Sequence, residues 1–340
     1  MKASLDAKET SYTGNSGMME LREAISHHFE QRYGVHYDPK DEILVTVGVS
    51  EGLAMALLAI TEPGDEVIIP DPAYVAYPAS VELAGGTPVF VPTYPEHDFK
   101  LTVEALEKVI TPKTKAIVIG YPNNPTGTVM SAEELMPIAK FAEEHDLIVL
   151  SDEIYCELMY GDAKFTSFAK LPGMRERTVI FNGFSKAYAM TGMRLGYVCA
   201  PREGLAPILK LHQYAIMCAN TTAQVGGITA LKECDDDVEA MRQEYDRRRK
   251  VIYKGLCDMG LPVFEPKGAF YIFPDIRCTG MTSAEFCEKL VQEEKVAVVP
   301  GTAFGDQGEG FVRISYAASM DTIQEALKRM ARFVAQYRKD

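Results

Sequence analysis

A chain of 340 residues, 47% hydrophobic and 24% charged, is long enough for one large domain or two ordinary ones around a substantial core. Its formal net charge of -13 argues against nucleic acid or an anionic membrane surface as partner, but not against small anions, which local groups hold. Seven cysteines without a C-x-x-C pair point to reduced thiols, the start "MKASLDAKET" lacks the apolar core of a signal peptide, and the longest clean apolar stretch, "GLAMALLAI", falls far short of a membrane span. A cytoplasmic protein is expected.

Along the chain, short β-rich runs alternate with helix-patterned ones. Strands are predicted at Ile43–Val47, Glu66–Pro70, Pro88–Val91, Ala116–Gly120, Leu147–Ser151, Thr178–Asn182 and Leu195–Ala200, with helices near 50–62, 75–84, 102–110 and 131–145. Thr102 precedes an acidic first turn, and Ser131 with Glu134 three residues on makes a capping-box start. This alternation predicts an α/β fold with a mainly parallel central sheet and helices on both faces. After about residue 232 the pattern changes. A charged helix (Asp237–Met259) leads into short strands near 263–273, 296–299 and 311–316, with a helix near 283–294. A final amphipathic helix starts near Met320, with Ile323, Leu327, Met330 and Val334 on one face. A smaller C-terminal α+β domain follows from this pattern, dividing the chain into 1–20, 21–232 and 233–340.

The segment "TVGVSEG" (46–52) contains G-x-S-x-G, the nucleophile elbow of serine hydrolases, between an apolar run and a helical one. That chemistry needs a late histidine, and the histidines stand at 27, 28, 36, 97, 145 and 212. No H-G-G-G segment occurs either. "LIVLSDE" imitates a Walker B strand, but neither G-x-x-x-x-G-K-[ST] nor G-x-G-x-x-G is present, which removes both nucleotide readings.

Three segments end strand candidates with polar groups: "YPNNPTG" (121–127), "SDEIY" (151–155) and "FNGFSKAYAMTGMRLGY" (181–197). In a parallel sheet the strand C-terminal ends share one rim, where ligands bind. That rim would gather Asn124, Asp152, Tyr155, Lys186 and Arg194 beside the 48–52 loop. Taken singly, Asp152 could be a helix cap, Asn124 a turn residue and Tyr74 a core tyrosine.

Together these segments resemble the signatures of fold-type I pyridoxal-phosphate (PLP) enzymes of the class I/II aminotransferase family. "YTGNSGMMELREAI", "TVGVSEGL", "PGDEVIIPDPAYVAYP", "YPNNPTG", "SDEIY", "FSKAYAMTGMRLGY" and "VRISYA" occur in family order over nearly the whole chain. The resemblance implies that Lys186 is the Schiff-base lysine that also shuttles the substrate proton, and that Asp152 pairs with the cofactor ring nitrogen. It implies that Tyr155 and Asn124 reach the 3′ oxygen and that Tyr74 stacks on the ring. Backbone N–H groups of Val49, Ser50 and Glu51 would hold the phosphate at a helix N-terminus, with Arg194 forking it. Arg313 would clamp the substrate α-carboxylate, and Tyr12 would reach the phosphate of a neighbouring subunit, which requires a homodimer.

Three departures from the family pattern stand out. Gly183 occupies the place of a phosphate-contacting serine, for which Ser185 is the expected substitute. Ser50 stands where some aspartate-selective relatives carry a basic residue, which favours neutral, aromatic or broad-range amino acids over strictly acidic ones. Relatives usually carry a few dozen residues ahead of the "YTGNSG" segment, so the expectation is either a chain truncated relative to the family or a protein that does without that segment. The implied activity is transfer of an amino group from an L-amino acid to a 2-oxo acid. A PLP-dependent β-eliminating lyase and a cofactor-binding, weakly active truncated homologue remain alternatives.

Overall fold

The computed structural model describes residues 1–339. All seven predicted strands of the first part form: β1 (Ile43–Thr46), β2 (Glu66–Asp71), β3 (Thr87–Pro92), β4 (Thr114–Ile119), β5 (Ile148–Asp152), β6 (Thr178–Gly183) and β7 (Gly196–Cys199). They make one sheet of order β1-β7-β6-β5-β4-β2-β3. β7 runs antiparallel to both β1 and β6, and every other pairing is parallel. The central strands are apolar and buried along their length because helices cover both faces; β6 is buried at all six positions. The loops after β1, β2, β4, β5 and β6 consequently meet at one rim.

Helices form at Gly48–Ile60, Ala76–Leu83 and Ala132–Glu144, the last opening on the predicted capping box, with Ser131 accepting from the Glu134 N–H. The helix expected over 102–110 is one turn, Val103–Leu106, capped by Thr102; β-branched Val109 and Ile110, followed by Pro112, do not extend it. Four helices escaped the sequence reading: the short Lys2–Asp6 and the longer Met19–Tyr33, Arg202–Ala215 and Thr221–Glu233. Each carries mixed polar and apolar residues whose burial depends on tertiary neighbours, as with the contact between Met19–Tyr33 and Thr221–Glu233.

Beyond these, the helix Asp235–Asp258 leads to a three-stranded antiparallel sheet of β8 (Tyr271–Ile272), β9 (Val299–Pro300) and β10 (Val312–Ser315), with β10 central. The strands are shorter than expected because irregular turns interrupt them. Helices Ser283–Glu294 and Met320–Tyr337 cover this sheet. The last buries Ile323, Met330, Phe333 and Val334 and leaves Leu327 half-buried. A separate apolar cluster fills this part and extends to Ile154, Tyr155, Leu158 and Tyr160, so the end of β5 is tied directly to it. All seven cysteines are unpaired, and among the described residues no helix is long and apolar enough to cross a membrane.

Candidate active site

A cavity of about 250 Å³ opens where the strand ends face the small sheet. Asn124, Asp152 and Tyr155 reach it from the β4 and β5 ends, and Ser185, Lys186 and Arg194 from the β6–β7 connection. Val49, Ser50 and Tyr74 reach it from the β1 and β2 loops, and Arg313 from β10. Residues separated by up to 264 positions in the chain thus line one space.

Asp152 is the last residue of β5. Its Oδ2 accepts a 2.8 Å hydrogen bond from the Tyr77 hydroxyl and its Oδ1 accepts the Ile154 N–H at 3.2 Å. Burial pushes its carboxyl above the ordinary aspartate range, against the pull of those two donors and of Lys186. The Lys186 amine lies 5.6 Å and 5.8 Å from the ring centroids of Phe270 and Tyr155. Burial pushes it below the ordinary lysine value; Asp152 opposes that, while Arg194 and Arg313 add to it.

At the β1 end, no side chain caps the Gly48–Ile60 helix, so its first-turn N–H groups are free for an anion. Gly48 has φ +76, and a Cβ there would stand 2.6 Å from Arg194 Nη2; only glycine lets the guanidinium come this close. Arg194 itself is held in the left-handed region, φ +50. Glu51 does not line the cavity with its side chain: its carboxylate turns back onto the Val47 N–H at 3.0 Å.

On the opposite side, Arg313 Nη1 donates to Asn124 Oδ1 at 2.9 Å, and its guanidinium lies 4.6 Å from the ring centroids of both Tyr271 and Phe304. Its Nε is buried without a hydrogen-bond partner among the described residues. Tyr12 is 81% exposed and lies outside the cavity wall. Gly183 lies outside it too: a Cβ there would meet Gly196 Cα at 2.7 Å and the Leu195 carbonyl oxygen at 2.9 Å. The close approach of β6 to β7 therefore demands glycine at this position, while Ser185 sits in the wall.

Sequence reasoning missed Tyr77 and Tyr271. Tyr77 reads as one more apolar residue in the helical run after Tyr74. Tyr271, in "GAFYIFP", reads as an ordinary strand residue; its hydroxyl lies 3.0 Å from the Tyr155 hydroxyl across the two halves of the site.

The residues fit pyridoxal phosphate. The free helix N-terminus, Ser185 and Arg194 suit a phosphate dianion, a buried carboxylate suits a ring cation, and the unpartnered Arg313 Nε shows donor capacity left for an anion. A family model described as aminotransferase class I and II matches residues 1–330. The chain is 50% identical to an aspartate aminotransferase of Pyrococcus abyssi and 47% identical to aromatic-amino-acid aminotransferase 2 of Thermococcus litoralis, each over 337 residues, covering 98% of this chain and 87% of the relative. A solved structure of an aromatic aminotransferase from Pyrococcus horikoshii OT3 matches with a TM-score of 0.97 at 49% identity, covering 98% of this chain and 90% of that one.

Proposed function

The chain belongs to the class I and II aminotransferase family, and on that premise we propose that it passes the amino group of an L-amino acid, neutral or aromatic donors or a broad range being favoured over strictly acidic ones, to a 2-oxo acid. That it is a pyridoxal-phosphate-dependent transaminase follows from the family and from relatives named for that activity, which give no support to β-elimination. The cofactor, when bound, supplies an aldehyde that condenses with amines and a cationic ring that takes up the electron pair left when the Cα–H bond breaks.

In this reading Lys186 would hold the cofactor through its aldehyde carbon, and its Nζ would accept the proton from the substrate Cα. The downward push on its amine favours the neutral form that can accept a proton. Asp152, fixed by Tyr77 and the Ile154 N–H, keeps the ring nitrogen protonated. Tyr155 and Asn124 serve the 3′ oxygen and Tyr74 the ring face. Val49, Ser50 and Glu51 offer backbone N–H groups to the phosphate together with Ser185 and Arg194. Arg313 receives the substrate carboxylate and shares Asn124 with the cofactor side. Tyr271 bridges the two ends, its hydroxyl on Tyr155 and its ring beneath Arg313.

One observation carries the substrate preference. Tyr74, Tyr155 and Tyr271 line the cavity and Phe270 faces Lys186. The basic side chains lining the cavity are Lys186, Arg194 and Arg313, each already assigned to the cofactor or to the substrate α-carboxylate, so none of the lining residues is left to pair an acidic side chain. Steady-state rates with phenylalanine, leucine and aspartate as donors test it. A kcat/KM for aspartate equal to or above that for the apolar donors would overturn the preference.

The same proposal includes a cytoplasmic homodimer in which Tyr12 of the partner subunit reaches the phosphate. The exposed Tyr12, Tyr214, Ile216 and Met217 support it, as apolar surface that a second copy would cover. It also keeps a cofactor-binding part over 21–232 and a smaller part over 233–340, supported by the separate apolar cluster of the latter.

A further inference from the structure

Behind the loop at the head of the Gly48–Ile60 helix lies a largely buried pair of side chains, His212 and Glu51, that take no part in the roles above. His212, on the helix Arg202–Ala215 packed across it, is fully buried, and its Nδ1 lies 3.0 Å from Glu51 Oε1. The other oxygen of that carboxylate accepts the Val47 N–H at 3.0 Å. An ionised Glu51 only accepts hydrogen bonds, so His212 Nδ1 carries the proton between them. His212 Nε2 has no partner among the described residues, so this single contact is what the ring offers its surroundings.

The loop these groups brace has little room. A Cβ on Gly196 of β7 would meet Gly48 C at 2.6 Å and Val49 N at 2.7 Å, and one on Gly48 would meet Arg194. A small shift of Val47 and Gly48 therefore moves both the first-turn N–H groups and the surface against which Arg194 rests. Glu51 is also a negative charge beside a helix N-terminus that is to receive a dianion. Deprived of its partner on the neighbouring helix, a buried carboxylate would turn toward whatever donors remain, which are those meant for the phosphate.

We propose that His212 is a positioning residue for the cofactor phosphate. By holding Glu51 Oε1 it keeps Oε2 on the Val47 N–H, which fixes the loop and leaves the backbone N–H groups of Val49, Ser50 and Glu51 to the anion. This rests on the reading of that loop as the phosphate site.

The test compares pyridoxal phosphate with pyridoxal, which lacks the phosphate, by spectroscopic titration of cofactor-stripped protein. His212→Phe keeps the ring's bulk and removes the donor; His212→Asn keeps an N–H at the position of Nδ1. The expected result for His212→Phe is at least a tenfold weaker affinity for pyridoxal phosphate with pyridoxal affinity within twofold, and for His212→Asn a recovery to within about threefold of the original. No loss, a loss shared equally by both ligands, or an Asn variant as weak as the Phe variant would overturn the proposal. If His212→Phe fails to fold, His212→Leu, which also lacks the donor, carries the test, and an unchanged ratio between the two ligands would overturn it there. Failure of the unsubstituted protein to prefer pyridoxal phosphate over pyridoxal would instead remove the phosphate site itself.

Discussion

Tyr77 and Asp152 lie 75 residues apart in the chain, and a 2.8 Å hydrogen bond joins the phenol of one to the carboxylate of the other beneath the cavity. Tyr77→Phe leaves Asp152 Oδ2 buried without this donor, a loss of about 1–3 kcal/mol. Asp152 is already held above its ordinary value by burial, and the Tyr77 bond opposes that. Its removal raises the carboxyl further, so the acid limb of the pH profile, where protonation of Asp152 ends its pairing with the ring, moves to higher pH. Expected are a kcat/KM lower by roughly 10- to 100-fold near neutrality and a smaller deficit at pH 9. An acid limb that stays in place would contradict this role.

Lys186→Ala removes the proposed proton carrier. Turnover is expected to fall by at least ~10³-fold, the scale of a lost general base that is also the covalent anchor. The mixture with pyridoxal phosphate should also lack the visible band expected of the intact protein. Unchanged turnover would show that another group moves the proton.

Arg313 and Tyr271 make a coupled pair. Loss of a charged clamp on a carboxylate costs about 1.5–3 kcal/mol, so Arg313→Ala should lower kcat/KM roughly 10- to 150-fold. Tyr271→Phe removes the hydroxyl on Tyr155 but keeps the ring under Arg313, and about a tenfold loss is expected. Combined with Tyr155→Phe, the effects should fall well short of additive, because both substitutions break one bond. Full additivity would show that the two phenols act separately.

Glu153, beside Asp152, is buried and pushed up to about 7 by that burial, against hydrogen bonds from Ser167, the Phe168 N–H and Ser151. A folded-state value above the unfolded one means that the folded protein binds the proton more tightly. The stabilisation from this group is complete below about pH 4.5 and is lost as pH rises through about 7. Glu153→Gln stays neutral throughout, so its stability relative to the original protein should improve between pH 5 and pH 8 by up to ~3 kcal/mol. Parallel unfolding curves across that range would contradict a neutral Glu153.

The sheet was legible because buried parallel strands read as apolar runs, and so were the residues that end them. Asp152, Lys186 and Asn124 stand just past such runs, where polar groups are out of keeping with a core. What escaped lies in side chains whose partners are distant in sequence. Tyr77 and His212 look like interior residues of helices; only the fold sets the first against β5 and the second against Glu51. Tyr271 escaped because β8 has two residues and gives no alternating pattern. At Gly183 the sequence shows only a glycine in the place of a phosphate-contacting serine; the approach of β7, which leaves no space for a side chain there, is visible only in the fold.

A visible absorption spectrum of the protein with pyridoxal phosphate, taken before and after adding single amino acids and then a 2-oxo acid, decides whether this cavity performs transamination. The expected result is a yellow band that bleaches with an apolar or aromatic L-amino acid and returns with the 2-oxo acid. A folded protein that shows no band, or a band that no amino acid alters, would contradict the roles given to Lys186 and to the loop at Ser50.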